Sequence, residues 1–228
     1  MKKLTPFLLF AAVLAVFTGC KKDSVVGGVQ TYSYVMAVNA AASTSGATIN
    51  VAIGTQNLDD IAFGSNSFYT PVTAGDNEVV IDYAGNSTST TIKFEDGKAY
   101  SVFTIDDPSG LKAVAVEDNL PGNTEGISNI RFFHFSSDAP AIDVAIGGTI
   151  IFTNRSYNDQ SAEPAISGFT AIVPGVYDIE VRDPVTSAVL YTFYSVVIED
   201  GKTYNMIAKG SINGTNDQGF GITLVANN

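Results

Sequence analysis

The stretch "IRFFHFSSDAPAIDV", residues 130–144, gathers the side chains best equipped for chemistry: His134, the only histidine of the chain, followed by Ser136, Ser137 and Asp138. A histidine, a hydroxyl and a carboxylate are the parts of a relay that activates a nucleophile. A relay needs members that converge from different segments, with the nucleophile on a strained turn, and the sequence has no Gly-x-Ser-x-Gly elbow. Within one extended segment, successive side chains point to opposite faces. Phe133 and Phe135 then share one face, and Phe132 and His134 the other. Asp138 is placed to cap the following turn by accepting nearby backbone N–H groups, and Pro140 stiffens it. His134 has three candidate roles: packed structural group, ligand contact at a pocket edge, or catalytic base. The geometry favours the first, and the expected set of catalytic residues is empty: the reading is of a protein that is not an enzyme.

Other chemistries are thinly supplied. One histidine and one cysteine cannot build the usual zinc sets. Calcium needs clustered oxygens; Asp59-Asp60, Asp106-Asp107 and Asp217 are loop candidates, but no EF-hand spacing occurs. No phosphate loop or dinucleotide fingerprint is present, so no cofactor and no resident metal are expected. The formal charge is −11 with no basic cluster, which repels nucleic-acid phosphates. Sugars stack on exposed aromatic rings, and Tyr32, Tyr34, Tyr69, Tyr157 and Tyr194 are candidates, against the general tendency of tyrosine to be buried.

The elements that must position these residues come in two copies. "FEDGKAYSVFTI" (94–105) recurs as "IEDGKTYNMIAK" (198–209), "INVAIG" (49–54) as "IDVAIG" (142–147), and "TAGDNEVVIDY" (73–83) as "VPGVYDIEVRD" (173–183). The order is preserved while the offset grows from 93 to 100 to 104, so the second copy carries about eleven extra residues, expected in loops near 154–168 and 183–188. "VYDIEVRD" alternates as a half-buried strand, and the segments after Gly97 and Gly201 read as core strands. The Asp-Gly pairs that include Gly97 and Gly201 suit hairpin turns, and Asp143 lies in the alternating strand after Pro140. No amphipathic helix is evident. With 21 glycines, no tryptophan and 45% hydrophobic residues, the reading is all-β: two tandem immunoglobulin-like antiparallel β-sandwich domains of about seven strands each. "EDNLPGNTEG" (117–126) is the polar joint between them.

The first twenty residues read as an address. Lys2 and Lys3 precede an eleven-residue apolar run, Phe7 to Phe17, which is shorter than the roughly 20 residues a spanning helix needs. Thr18-Gly19 then precede Cys20, the only cysteine. This resembles the bacterial lipoprotein signal, although Phe17 replaces the usual leucine-like residue. The resemblance implies cleavage before Cys20 and its acylation, with fatty chains such as palmitate anchoring the protein to the outer membrane. Cleavage would leave 10 basic against 23 acidic residues, a formal charge of −13. The "CKKD" start resembles Bacteroidota lipoproteins, some of which are displayed on the cell surface; the surface and periplasmic faces both stay open. Asp23-Ser24-Val25 resembles the short O-glycosylation pattern of that phylum, and a plain solvated tether is the favoured reading of the segment.

"IRFFHFSSDAPAIDVAIGG", "VPGVYDIEVRD" and "VIEDGKTYNMIAKG", in that order, resemble the domain-of-unknown-function family 4397 over residues 127 to about 226. The first copy, about 31 to 118, looks like a diverged member, because "AASTSGATINV" stands where the histidine and Asp-Ala-Pro turn would be. The resemblance implies secreted or surface β-sandwich domains, often in tandem, with no activity or functional residue to carry over. The expected layout is a signal peptide (1–19), a lipidated tether (20–30), a first sandwich (31–118), a linker (119–126) and a second sandwich (127–228). The expected function is a lipid-anchored envelope or surface interaction and adhesion module. Its partners would be the membrane through Cys20 and an unknown envelope protein or extracellular glycan, with no nucleic acid. A glycan-binding accessory lipoprotein is the alternative, and a hydrolase a distant third.

Overall fold

A computed structural model describes residues 30–227. The first repeat contains β1 (Tyr32–Asn39), β2 (Thr48–Ile53), β3 (Gln56–Ala62), β4 (Thr70–Thr73), β5 (Gly75–Tyr83), β6 (Asn86–Phe94), β7 (Ala99–Asp107) and β8 (Gly110–Glu117). The second contains β9 (Ser128–His134), β10 (Ile142–Ile146), β11 (Thr149–Arg155), β12 (Thr170–Ile172), β13 (Gly175–Arg182), β14 (Val189–Ile198), β15 (Thr203–Lys209) and β16 (Gly221–Ala226). Each repeat forms two four-stranded sheets in the same order: β3-β2-β5-β6 over β4-β1-β7-β8, and β11-β10-β13-β14 over β12-β9-β15-β16. The architecture is all-β, with only short 3₁₀ turns between described strands.

Three details differ from expectation. Each repeat has eight strands rather than seven, because β4 and β12, of four and three residues, are too short to carry an alternation signal. Pairing is antiparallel except for β1 with β7 and β9 with β15, which run parallel. The Asp-Gly pairs do not close hairpins. Glu95–Lys98 and Glu199–Lys202 are β-turns that carry the chain from an outer sheet to an inner one, with Gly97 at φ +72° and Gly201 at φ +68°.

The turn motif has a physical basis common to both repeats. The Glu95 amide donates to the Tyr100 hydroxyl at 3.1 Å, and its carbonyl accepts from the Ser33 hydroxyl at 2.5 Å. In the second repeat the Glu199 amide donates to Tyr204, and its carbonyl accepts from Ser128. The tyrosine of each Gly-Lys-x-Tyr segment therefore buries its ring in a sandwich core and uses its hydroxyl to fix the preceding turn.

The eleven extra residues that precede β15 fall in two loops. Between β11 and β12 there are fourteen residues where β3 and β4 are separated by seven. Between β13 and β14 there are six where β5 and β6 are joined by two, which accounts for the growth of the repeat offset.

The two sandwiches are stacked rather than strung out. Val35, Ala37, Tyr100 and Val102 point into the first core, and Ile130, Phe132, Tyr204 and Met206 into the second. The opposite faces of the same inner sheets, with Met36, Val38, Phe103 and Ile105 against Phe133, Phe135, Ile207 and Val225, build a third core between the repeats. The result is four sheets in layers. Inner strands are buried on both faces, which is why "VMAVNA" and "IRFFHF" are near-continuous apolar runs. Phe103 packs against Phe133 and Phe135 with ring centroids 4.7 and 5.0 Å apart, joining the repeats through aromatic contacts.

Candidate functional site

His134 ends β9 and is fully buried, on the opposite face from Phe133 and Phe135. Its Nδ1 accepts the Ser136 backbone N–H at 3.3 Å, and its Nε2 lies 3.1 Å from the Pro140 carbonyl. An amide only donates and a carbonyl only accepts, so the ring is the neutral tautomer protonated at Nε2. Burial holds its pKa below the usual value, outweighing the Pro140 hydrogen bond. The first repeat makes the same junction without histidine. Asn39, the strand-register counterpart of His134, accepts the Ala41 N–H at 3.2 Å and donates to the Ile61 carbonyl at 3.1 Å. Both ring nitrogens of His134 are thus committed to the backbone.

Asp138 does not cap its own turn as the sequence suggested. Its carboxylate accepts the Ser211 hydroxyl (2.6 Å), the Ile212 N–H (3.0 Å), and the Asn213 amides, all from the loop after β15. Burial disfavours its ionisation, but these donors prevail and hold the carboxyl below its ordinary pKa. In the first repeat the polarity of this junction is reversed: Ser43, on the turn, donates to Asp106, at the strand end. A short hydroxyl-bearing turn therefore replaces Asp-Ala-Pro without loss of the junction.

Asp143 is buried in β10 and accepts the Asn154 N–H at 2.7 Å, where β11 bulges and Asn154 sits at φ +47°. Pro140 contributes its carbonyl to His134. Cys20 and Ser24 lie outside the described residues. Among the described residues, no three His, Cys, Asp or Glu side chains are grouped to hold a metal ion.

The most concentrated buried polar chemistry lies between the repeats, in residues that no motif of the sequence marks. Arg131 is 1% exposed and pairs with the equally buried Asp118. The guanidinium also donates to Asn205 Oδ1 (2.6 Å) and the Glu117 carbonyl (3.0 Å), between the rings of Phe133 and Phe169. Asp118 accepts from Ser101 (3.0 Å) and from Tyr69 (2.5 Å), whose hydroxyl pKa is raised by burial and by that carboxylate. The sequence places Asp118 in the polar joint; it is an internal counter-ion instead. The signal that could have found this cluster is Arg131 itself, a lone cation in an apolar strand, on the face opposite His134.

Equivalent positions meet across this seam. Asn205 donates to its counterpart Ser101 at 3.1 Å, as expected for near-isologous packing. The counterparts of Arg131 and Asp118 are Met36 and Asn227, so only one of the two symmetric positions carries charge. Tyr69 and Tyr157, two of the candidate sugar platforms, are consumed here: Tyr69 by Asp118 and Asn227, Tyr157 by the Asp106 carbonyl.

The remaining three tyrosines are exposed. Tyr32 and Tyr34 lie two apart on β1 and share a face, while Tyr194 is on β14, in the other repeat. The outer edge of that repeat is β14, "VLYTFYSVVI", which has no charged residue, and Val189, Leu190, Tyr194 and Val197 on it are exposed. Its counterpart β6, "NSTSTTIKF", is a hydroxyl-rich edge.

The fold is that of an all-β double sandwich whose reactive side chains are engaged in its own architecture. Residues 33–145 match the model of a family described as a domain of unknown function, DUF4397, and this part of the chain belongs to that family. The match covers the first repeat, read above as the diverged copy, and ends within β10, so it takes in only the opening strands of the second. No curated protein matches the chain. Among solved structures, a family 26 carbohydrate-binding module of Eubacterium rectale, in complex with maltoheptaose, is similar at 10% identity and a TM-score of 0.25, covering 82% of this chain and 99% of its own. A candidate adhesin from Bacteroides ovatus is similar at 10% identity and a TM-score of 0.19, covering 87% and 93%. At such TM-scores neither carries a function to this chain.

Proposed function

We propose that the protein is a non-catalytic interaction module of the cell envelope, held to the outer membrane by acyl chains on Cys20, whose partner is another envelope protein. The observation that carries this reading is the contrast between the two equivalent edge strands. A long, exposed, apolar edge is a hazard for a free protein, and natural sheets usually blunt it. The repeat can be built with a polar edge, as β6 demonstrates, yet β14 has ten residues without a charge. Bulges at Ser195, at φ +56°, and at Leu190 interrupt the edge, leaving 191–193 and 196–198 as its regular runs. A partner strand added there would gain main-chain hydrogen bonds for affinity and alternate apolar pockets for selectivity. The test is co-purification from native envelopes. A Leu190→Lys, Tyr194→Lys double variant should melt like wild type and lose its partner; unchanged co-purification would refute the reading. The anchoring part is tested with Cys20→Ala, which should abolish fatty-acid labelling and release the protein from the membrane fraction.

Tyr32 and Tyr34 support a second reading, glycan binding, because two exposed rings on one strand face can each meet a sugar ring. Binding on a glycan array that is lost in Tyr32→Ala, Tyr34→Ala would establish it; a silent array would remove it.

A further inference from the structure

The near-symmetric seam makes one of its ends informative about the other. Tyr157 holds the place in the second repeat that Phe63 holds in the first: the next residues, Asn158 and Gly64, donate their amides to the equivalent His134 and Asn39 carbonyls. The Tyr157 ring enters the shared core and its hydroxyl donates to the Asp106 carbonyl, closing that end of the seam. At the other end Phe63 has no hydroxyl to close the seam, and the adjoining Gly64, at φ +78°, lets Lys209 approach: an added Cβ would lie 2.9 Å from Lys209 Cε. Lys209, whose counterpart in the first repeat is Ile105, lies across this glycine with Nζ 4.0 Å from the centroid of Phe63. Beside it an open cleft of about 420 Å³ remains, lined by Ser45, Thr48 and Phe63 from one repeat and by Lys209 and Asp217 from the other.

The far wall of the cleft is a long, tightly folded loop. The connection from β15 to β16 has eleven residues where β7 and β8 are joined by two. Asp138 pins this loop through Ser211, Ile212 and Asn213. Its glycines fold it tightly: a Cβ on Gly210 would sit 2.2 Å from the Gly219 carbonyl, and one on Gly214 2.4 Å from that of Gln218. The fold thus fixes where Asp217 stands. Lys209 is partly desolvated, which lowers its pKa although the Asp217 charge raises it, and no ion pair closes on it among the described residues.

We propose that this cleft binds a small acidic sugar, a hydroxylated ring bearing one carboxylate. The carboxylate would meet the Lys209 ammonium, ring hydroxyls would donate to Asp217, and Ser45 and Thr48 would exchange hydrogen bonds with the remaining hydroxyls. The volume lies within the ordinary range for small-molecule sites, about 300–1,000 Å³. A neutral sugar leaves the half-buried ammonium unpaired, and a dianionic phosphate is repelled by Asp217. The site is separate from the β14 edge and does not depend on the strand-addition reading.

The test is calorimetric titration of the full chain with D-glucuronate, D-glucose and inorganic phosphate as probes. Glucuronate should bind at least about tenfold more tightly than glucose, equivalent to about 1.4 kcal/mol, and more tightly than phosphate. Lys209→Gln should erase the preference. Ala47→Tyr, an exposed substitution on the rim of the cleft, should block glucuronate without lowering Tm. Equal binding of glucuronate and glucose, no glucuronate binding, or stronger phosphate binding would each overturn the proposal. Should Lys209→Gln lower Tm, the rim variant decides: glucuronate binding retained in Ala47→Tyr overturns the site. The Leu190→Lys, Tyr194→Lys variant should bind glucuronate as wild type does.

Discussion

The sister positions of the buried ion pair supply its own replacement chemistry, and this yields a sharp prediction. Asp118→Asn installs the residue type found at position 227, and Arg131→Met the residue type found at position 36. Asp118→Asn alone leaves the Arg131 guanidinium, 1% exposed and clamped between Phe133 and Phe169, with no counter-charge. Breaking one side of such a pair costs about 3–5 kcal/mol, because the remaining charge stays desolvated. The double variant removes both charges, keeps a side-chain amide at position 118 within reach of Ser101 and Tyr69, and fills the seam with an apolar chain; such replacements are often neutral or stabilising. The expected coupling is therefore about 3 kcal/mol or more. At about 2–4 °C per kcal/mol for a chain of this size, the single variant should lose about 6–20 °C in Tm and the double variant should recover most of it. The assay is thermal and urea unfolding followed by circular dichroism at neutral pH. All variants should unfold in one transition, since Phe103, Phe133 and Phe135 join the repeats. A cost below about 1 kcal/mol for Asp118→Asn, or simple additivity of the two single variants, would refute the picture of a dry, charged seam.

Further outcomes follow from the signature turn. With His134 held neutral by burial, the unfolded chain takes up a proton below about pH 6.5 that the folded chain resists. Its contribution to stability is present above that pH and is lost as pH falls from there towards the lowered folded pKa, at no more than about 1.4 kcal/mol per pH unit. His134→Asn, which copies Asn39, should remove that slope in denaturation measured across pH 4 to 8, roughly the window around the histidine reference value; an unchanged slope would mean that His134 does not cause it. Asp138→Ala should cost about 1 kcal/mol, selectively deprotect residues 210–220 in hydrogen exchange, and weaken glucuronate binding. Uniform deprotection would contradict the assigned anchoring role. Because the folded pKa of Asp138 is lowered, its stabilising contribution is present above about pH 3.9 and disappears as pH falls through the folded value, a loss that the alanine variant should lack.

Much of the layering was legible before any coordinates. "VYDIEVRD" alternates because β13 has one wet face, and only Ile179 and Val181 are buried in it. "TYNMIA" and "IRFFHF" lack that alternation because both of their faces are covered. The placement of His134 opposite Phe133 and Phe135 followed from the two-residue period of a strand. The partner of Asp138 was not legible, since a carboxylate that caps its own turn and one that pins a loop more than seventy residues away have the same local sequence. The ion pair was hidden for a similar reason: Asp118 sits among polar joint residues, and only the stacking of two sheets turns that position inward. The seam cleft arises from loop lengths, seven residues against fourteen and eleven against two, whose consequence appears only once the repeats are superimposed.

The central claim is that β14 is the working edge of the molecule. A photo-crosslinking amino acid placed at Tyr194, with the equivalent exposed position Thr91 on β6 as control, tests it in intact envelopes. A discrete adduct is expected from position 194, none from position 91, and loss of the adduct when Leu190→Lys is added. Equal adducts from both edges, or none from position 194, would contradict it.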